Sequence, residues 1–180
     1  MGNPQGVDFA LPFSVICFLV TFLAAAPYVH EMSHAIALSY SGCPYFLPDF
    51  RFSLLNGLEG SIKILCKMPV ENYPLVLVAG ALSTFIVGNL LFLAVFAMFL
   101  KRNYVHLSTL MISFGFIISS LMYFFEKGEF DLFLLVKGFG IDEALLPAIG
   151  TPLVLVYLYI VYRFMDLYME REVEEEKQLK

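Results

Sequence analysis

The sequence has little charge for its length. Only 15% of its 180 residues are Asp, Glu, Lys or Arg, whereas about 25% is usual in soluble domains. It also has no run of basic residues of the kind that contacts nucleic-acid phosphates. With 59% hydrophobic residues and a mean hydropathy of +0.78, the chain has too little polar surface to cover itself in water. These shortages exclude a soluble enzyme and a nucleic-acid-binding protein.

Four segments contain no Asp, Glu, Lys or Arg at all: residues 9–30, 72–100, 103–125 and 144–162. Each is close to the ~20 apolar residues that a helix needs to cross a bilayer. The sequence therefore predicts an all-α polytopic membrane protein with about four transmembrane helices, a multi-pass protein of the cell membrane. We expect one membrane-embedded domain over residues 1–168 and a charged tail over residues 169–180.

Two shorter segments predict further elements between these helices. Within residues 49–73, apolar and polar residues alternate on both sides of the glycine-rich segment 56–60, which predicts a β-hairpin with its turn at that segment. The apolar piece 131–136 is too short to cross a bilayer, so we expect it to be interfacial or re-entrant. Parity then places the hairpin and the connector 126–143 on one membrane face and both termini on the other.

The three cysteines, Cys17, Cys43 and Cys66, do not have the spacing of metal ligands. Cys43 and Cys66 bracket the hairpin loop and could pair if that loop faced an oxidising compartment. We expect three free thiols instead.

The most informative residues are His30, Glu31 and His34, in the order His-Glu-Met-Ser-His within the first apolar segment. Positions i and i+4 share one face of a helix, so both imidazoles can bind one metal ion. Glu31 lies about 100° round the helix from His30. There it can take a proton from a metal-activated water instead of binding the metal. Zn²⁺ suits two imidazoles plus a carboxylate, with a fourth position left open. Ionisable residues are costly inside a membrane and usually mark function.

A third ligand must reach His34 from the loop face of the membrane. The connector after the third apolar segment offers Glu126, Glu129 and Asp131. Asp131 is the preferred candidate because it opens the short apolar piece, which surrounding protein can bury at membrane depth. Its alternative role is a helix N-cap at the membrane surface. His106 lies at the opposite face by parity, so we expect it to be interfacial.

The sequence resembles the site-2 protease family of intramembrane zinc metalloproteases. The resemblance covers roughly residues 24–136. It centres on the His-Glu-Met-Ser-His motif at 30–34, which is followed by small residues and Gly42.

Two other segments carry the resemblance, each with departures. Segment 79–84, Ala-Gly-Ala-Leu-Ser-Thr, is similar to the family's small-residue segment. Ala81 stands where the family has proline, and Thr84 stands where it has asparagine. Segment 128–131, Gly-Glu-Phe-Asp, resembles the place where the family supplies its aspartate ligand, but Leu132 replaces a glycine. These departures suggest a divergent, minimal member.

The resemblance implies a zinc endopeptidase that hydrolyses a peptide bond in or near the transmembrane helix of a membrane-protein substrate. Glu31 would move the proton, while His30, His34 and Asp131 would hold Zn²⁺. The hairpin could hold the unwound substrate segment as an added strand. In the family the catalytic pair lies nearer the cytosol, which places the hairpin there and argues against a disulfide between Cys43 and Cys66.

Two other functions stay open. The departures at Ala81, at Thr84 and around Asp131 also suit a catalytically inactive, protease-like membrane protein that binds client helices or partners. A transporter is a more distant alternative, because the sequence shows only one intramembrane cluster of acids and histidines.

Overall fold

A computed structural model describes residues 5–53, 57–67, 72–100, 107–126 and 131–178. The protein is mostly helical (75%), with a small two-stranded hairpin. His106 and Glu129 lie outside the described residues. The elements are α1 (Gln5–Val20), α2 (Ala26–Tyr40), β1 (Asp49–Ser53), β2 (Gly57–Ser61), α3 (Tyr73–Leu100), α4 (Leu107–Met122), α5 (Asp131–Gly138) and α6 (Leu145–Gln178).

Three helical stretches are long and apolar enough to cross a membrane, namely Leu11–Tyr40, Tyr73–Leu100 and Leu145–Leu167. They are the first, second and fourth of the expected spans. The third expected span corresponds to α4, which is apolar but shorter, with 16 residues. The short apolar piece forms the helix α5. These lengths are consistent with a membrane protein, while a membrane span at α4 stays a prediction.

The first membrane-length stretch joins α1 to α2 through a π-helical turn, Thr21–Ala25. Pro27 follows this turn in the first turn of α2. Proline has no N–H to donate to the carbonyl four residues earlier, which is that of Leu23. Local π geometry is a common adjustment where the regular ladder is broken. The break lies one turn before His30, so α2 begins as a separate helical segment that carries the motif.

The hairpin is present, but the predicted position of its turn is wrong. β1 and β2 pair antiparallel, from Asp49 opposite Ser61 to Ser53 opposite Gly57. Gly57 and Gly60 therefore lie in a strand, while Asn56 lies outside the described residues.

These glycines serve close packing instead of a turn. A Cβ atom at Gly57 would lie 2.5 Å from the carbonyl oxygen of Leu23, and a Cβ atom at Gly60 would collide with the Glu31 side chain. Glycine in a strand often marks such a close approach. The hairpin is thus packed directly onto the helix that carries the histidine motif.

The expectation of three free thiols is wrong, because Cys43 and Cys66 form a disulfide with a Cα–Cα distance of 5.7 Å. Gly42 ends α2 in the left-handed conformation (φ 67°) and turns the chain back toward the hairpin. Antiparallel pairing continues beyond the strands, where the Leu65 N–H donates to the Pro44 carbonyl at 3.0 Å. This non-local pairing brings the two cysteines together, and sequence spacing alone does not reveal it.

α3 packs along α4, and α2 lies against both helices. Small residues and serines form the α3–α4 interface. The Ser113 hydroxyl donates to the Gly88 carbonyl at 2.9 Å, and the Ser120 hydroxyl donates to the Ala81 carbonyl at 2.6 Å. Small residues let helix backbones approach closely, and such hydrogen bonds hold apolar helices together. α5 packs on α3, which carries Asp131 to the same side of the helices as α2.

The disulfide makes a direct prediction about thiol content. Protein purified without reductant should show one reactive thiol after denaturation, that of Cys17, and three after reduction. The measurement is labelling with a maleimide followed by intact mass. The matched control is Cys17→Ser, which should show none before reduction and two after it. Three labels on unreduced wild-type protein would contradict the pairing.

Candidate metal centre

The structure brings His30, His34 and Asp131 together at one point. The Nε2 atoms of the two histidines are 2.9 Å apart. One carboxylate oxygen, Oδ2 of Asp131, lies 3.0 Å from His30 Nε2 and 2.9 Å from His34 Nε2. The two histidines come from successive turns of α2, and the aspartate is the first residue of α5, nearly a hundred residues later. Three ligand atoms from two separate elements therefore converge.

These three atoms lie close enough together to contact one divalent metal ion. They form a nearly equilateral triangle with sides of 2.9–3.0 Å. A point about 2 Å from all three corners exists just above such a triangle, and about 2 Å is the usual zinc–nitrogen and zinc–oxygen distance. Two imidazoles and one carboxylate are also a donor set that catalytic zinc sites use, with a further position open. The His-His-Asp group could therefore hold a metal ion.

The hydrogen bond on the far side of His34 fixes which nitrogen faces the triangle. His34 Nδ1 lies 2.6 Å from the Val76 carbonyl oxygen, which can only accept a hydrogen bond. Nδ1 therefore carries the proton, and Nε2 presents its lone pair to the other two ligands. A carbonyl in this position is the usual partner of a metal-binding histidine, because it sets both the tautomer and the ring orientation.

The His30 ring is positioned by packing. It is 2% exposed, and the Tyr123 ring stacks on it nearly parallel, with centroids 4.3 Å apart and planes inclined by 3°. The backbone of α3 also approaches at Gly80, where an added Cβ would lie 2.5 Å from both ring nitrogens. His30 Nδ1 is buried and has no hydrogen-bond partner within the described part of the chain. Packing against Tyr123 and Gly80 therefore replaces the hydrogen bond that holds His34.

The surroundings of the site shift the pKa values of two acidic residues from the connector, Asp131 and Glu126. Burial would raise the pKa of Asp131, but the His30 and His34 side chains beside it outweigh this and lower the pKa to about 2. Burial raises the pKa of Glu126, and the nearby charge of Asp131 raises it further. Glu126 lines the same cavity but is not part of the three-residue group.

The three ligand atoms and Glu31 line one cavity of about 980 Å³. Residues of α2, α3, α4, α5 and β2 contribute to its walls. Glu31 follows His30 on α2 and is half-buried, with its Cγ atom against Gly60 of β2. A carboxylate therefore lies beside the ligand triangle in a space large enough for a peptide segment.

Thr84 stands where the resembled family has asparagine, and its side chain lies away from the candidate site. Its side chain is fully buried, and its hydroxyl donates within α3 to the carbonyls of Gly80 and Ala81 at 3.1 and 3.0 Å. It does not line the cavity formed by the described residues. Its role is helix packing, since its only donor hydrogen is used inside its own helix.

Three cavity-lining residues were missed by sequence reasoning: Ser119, Tyr123 and Gly60. Ser119 lies near the end of α4, and Tyr123 directly follows that helix four residues later. Polar residues at helical spacing in an apolar segment were the available signal. Nothing in the sequence indicates that Gly60 lies against Glu31, because that contact depends on how the hairpin folds back.

Neither the protein-family models nor the curated proteins nor the solved structures contain a match to this chain. The candidate centre therefore depends on its own geometry and chemistry.

The packing of His30 gives a test of the centre. Gly80→Ala should weaken zinc affinity by at least about tenfold, since disturbing the support of a metal ligand typically costs 10–100-fold. The added methyl must displace the His30 ring, while alanine is the better helix former and should not weaken α3 itself. Zinc affinity is measured by competition with a chelator.

The matched control is Gly138→Ala, because a Cβ there meets nothing within 4 Å. It should bind zinc as the wild type does. Equal zinc affinity in all three proteins would show that the His30 ring position does not matter for binding.

Proposed function

We propose that this protein is an intramembrane zinc endopeptidase that hydrolyses a peptide bond in or near the transmembrane helix of a membrane-protein substrate. The observation that carries the proposal is the convergence of His30, His34 and Asp131, with Glu31 beside them in one cavity. The resemblance of the histidine motif to the site-2 protease family points to the same activity.

In this proposal the two histidines and Asp131 hold Zn²⁺, which when bound activates a water and polarises the scissile carbonyl. Glu31 is the general base, which takes the proton from the attacking water and returns it to the departing amine. Its position on α2 beside His30 suits this role, because it lines the cavity without belonging to the ligand triangle. Glu31 is half-buried, and the apolar side chains of the cavity wall limit the access of bulk water to it.

The substrate is proposed to bind along β2. Within the described residues, β2 pairs with β1 only, and four consecutive residues of the strand line the cavity: Leu58, Glu59, Gly60 and Ser61. A helical substrate must unwind locally before its carbonyls can be attacked. An unwound segment can add to the edge of a hairpin through main-chain hydrogen bonds, which require little sequence specificity. The edge of β2 supplies those bonds beside Glu31.

We further propose a multi-pass protein of the cell membrane in which α4 is the third of four spans and α5 is re-entrant. α5 supports this because its first residue reaches the histidines of a membrane-length helix. The Cys43–Cys66 disulfide favours an oxidising compartment for the hairpin face. That orientation is opposite to the one implied by the family resemblance.

A catalytically inactive protein that binds client helices is the second candidate. It is favoured by Thr84, which stands where the family has asparagine and whose hydroxyl is used inside α3. The metal centre would then be structural, and the cavity would bind a helix without cleaving it.

The test separates metal binding from proton transfer. Purified wild-type protein should bind about one zinc per chain and cleave a reporter containing a transmembrane helix in proteoliposomes. Glu31→Gln should keep its zinc and lose at least about a hundredfold in kcat, as expected for a general base. Asp131→Ala should lose zinc and activity together. Zinc is measured by elemental analysis, and cleavage is measured by mass spectrometry.

The control is Asp49→Asn, an equivalent change at an exposed carboxylate on β1. It should leave both zinc content and cleavage unchanged. Cleavage that survives Glu31→Gln would reject the mechanism. Zinc binding with no cleavage of any helical reporter by the wild type would favour the inactive, helix-binding protein.

A further inference from the structure

Ser119 is a buried residue that lines the cavity. It is 8% exposed, lies near the end of α4, and shares the cavity with His30, His34 and Asp131. Its hydroxyl makes no hydrogen bond to any residue in the described part of the chain, and its oxygen is not among the fully buried atoms without a partner. The hydroxyl is therefore open to a ligand or water that enters the cavity.

The other serines of the helix bundle show that this is unusual. Ser33 and Ser83 donate to carbonyls one turn earlier in their own helices, which is the common arrangement for a serine in an apolar helix. Ser113 and Ser120 donate to carbonyls of α3. Ser119 does neither, although it is next to Ser120 on the same helix. Its hydroxyl is thus left for the cavity.

Ser119 lies on the side of α4 that faces the cavity with His30, His34 and Asp131. Tyr123 directly follows the last residue of α4, and its ring stacks on His30. Ser119 and Tyr123 line the same cavity. α2 and α4 are in contact across this region.

The cavity has many acceptors and few donors. Glu31, Glu59, Glu126 and Asp131 contribute carboxylates to its wall, whereas its described lining contains no Lys, Arg, Asn or Gln. Four hydroxyls line it, those of Ser61, Tyr73, Ser119 and Tyr123. Ser61 and Tyr73 are exposed and Tyr123 is half-buried, whereas Ser119 is buried. Ser119 is therefore the buried donor that a carbonyl oxygen in this cavity would meet.

We propose that Ser119 is a catalytic residue whose hydroxyl donates a hydrogen bond to the oxygen of the scissile carbonyl. This rests on the proposed peptidase activity. It also supplies the donor that Thr84 does not provide, since the Thr84 hydroxyl is directed back into α3.

The reaction step is the hydrolysis of an amide. The water oxygen forms a bond to the carbonyl carbon, its proton passes to Glu31, and the carbonyl π electrons move onto the oxygen that Ser119 holds. When the carbonyl reforms, the carbon–nitrogen bond breaks and the proton on Glu31 goes to the nitrogen. The immediate products are a carboxylic acid and an amine, and transfer of the acid proton to the amine gives a carboxylate and an ammonium group. Ser119 remains protonated throughout and stabilises the oxygen most strongly when that oxygen is negative.

The first test is kinetic. Ser119→Ala should lower kcat by about 10²-fold, with KM changed less than about threefold, because a donor to the developing oxyanion acts mainly in the transition state. Ser119→Thr keeps a hydroxyl and should restore most of the rate. Ser120→Ala is the matched control: its hydroxyl bonds α3 outside the cavity lining, so its loss should not change kcat beyond its effect on stability.

The second test does not depend on turnover. A phosphinic peptide with an apolar sequence mimics the tetrahedral arrangement, and its binding to zinc-loaded protein is measured by calorimetry. Ser119→Ala should bind it at least tenfold more weakly than the wild type and retain the same zinc affinity. Ser119→Cys, of similar volume but a weak donor, should show the same loss even where alanine disturbs packing.

The outcomes distinguish the two proposals. If Glu31→Gln abolishes cleavage while Ser119→Ala cleaves and binds the phosphinic peptide as the wild type does, the role of Ser119 is refuted and the peptidase stands. If Ser119→Ala loses zinc together with binding, Ser119 is structural and the proposal is also refuted. If the zinc-loaded wild type binds no phosphinic peptide and cleaves no substrate, both proposals fail.

Discussion

The structure depends on the cost of placing ionisable groups among apolar helices. His30, His34 and Asp131 lie in a protein with three membrane-length apolar helices, where uncompensated polar groups cost several kcal/mol. Their compensation is mutual, since each lies about 3 Å from the other two. A divalent cation would complete this arrangement, because it would balance the aspartate charge and use both imidazole lone pairs. The packing of α5, the Val76 contact to His34 and the stacking of Tyr123 on His30 all hold these three side chains in place.

The hairpin and the disulfide are a second, supporting layer. Pro27 leaves the Leu23 carbonyl without its helical partner, and β2 packs against that point through Gly57. Three residues later along β2, Gly60 packs against Glu31. The Cys43–Cys66 bond ties the base of the hairpin to the end of α2. The strand that is proposed to present the substrate is therefore fixed to the helix that is proposed to cleave it.

Local patterns in the sequence were enough to predict the membrane-length helices and the hairpin. The i, i+4 spacing of His30 and His34 and the alternation around the hairpin are short-range signals. Asp131 was preferred on a different ground, because parity places its connector on the membrane face that His34 approaches. The two errors are long-range: the turn was placed at glycines that instead pack against α2, and the disulfide depends on the way the loop folds back. Ser119 and Tyr123 were missed because only the packing of the helices shows that they line the cavity beside His30.

X-ray absorption at the zinc edge tests the central claim most directly, because it measures the atoms around the ion in the intact protein. The expected spectrum has two imidazole nitrogens and carboxylate or water oxygens at about 2.0–2.1 Å, with four to five light neighbours and no sulfur. Loss of His34 or Asp131 should remove the bound zinc. A shell containing sulfur at about 2.3 Å, or six oxygens without imidazole, would contradict the proposed centre.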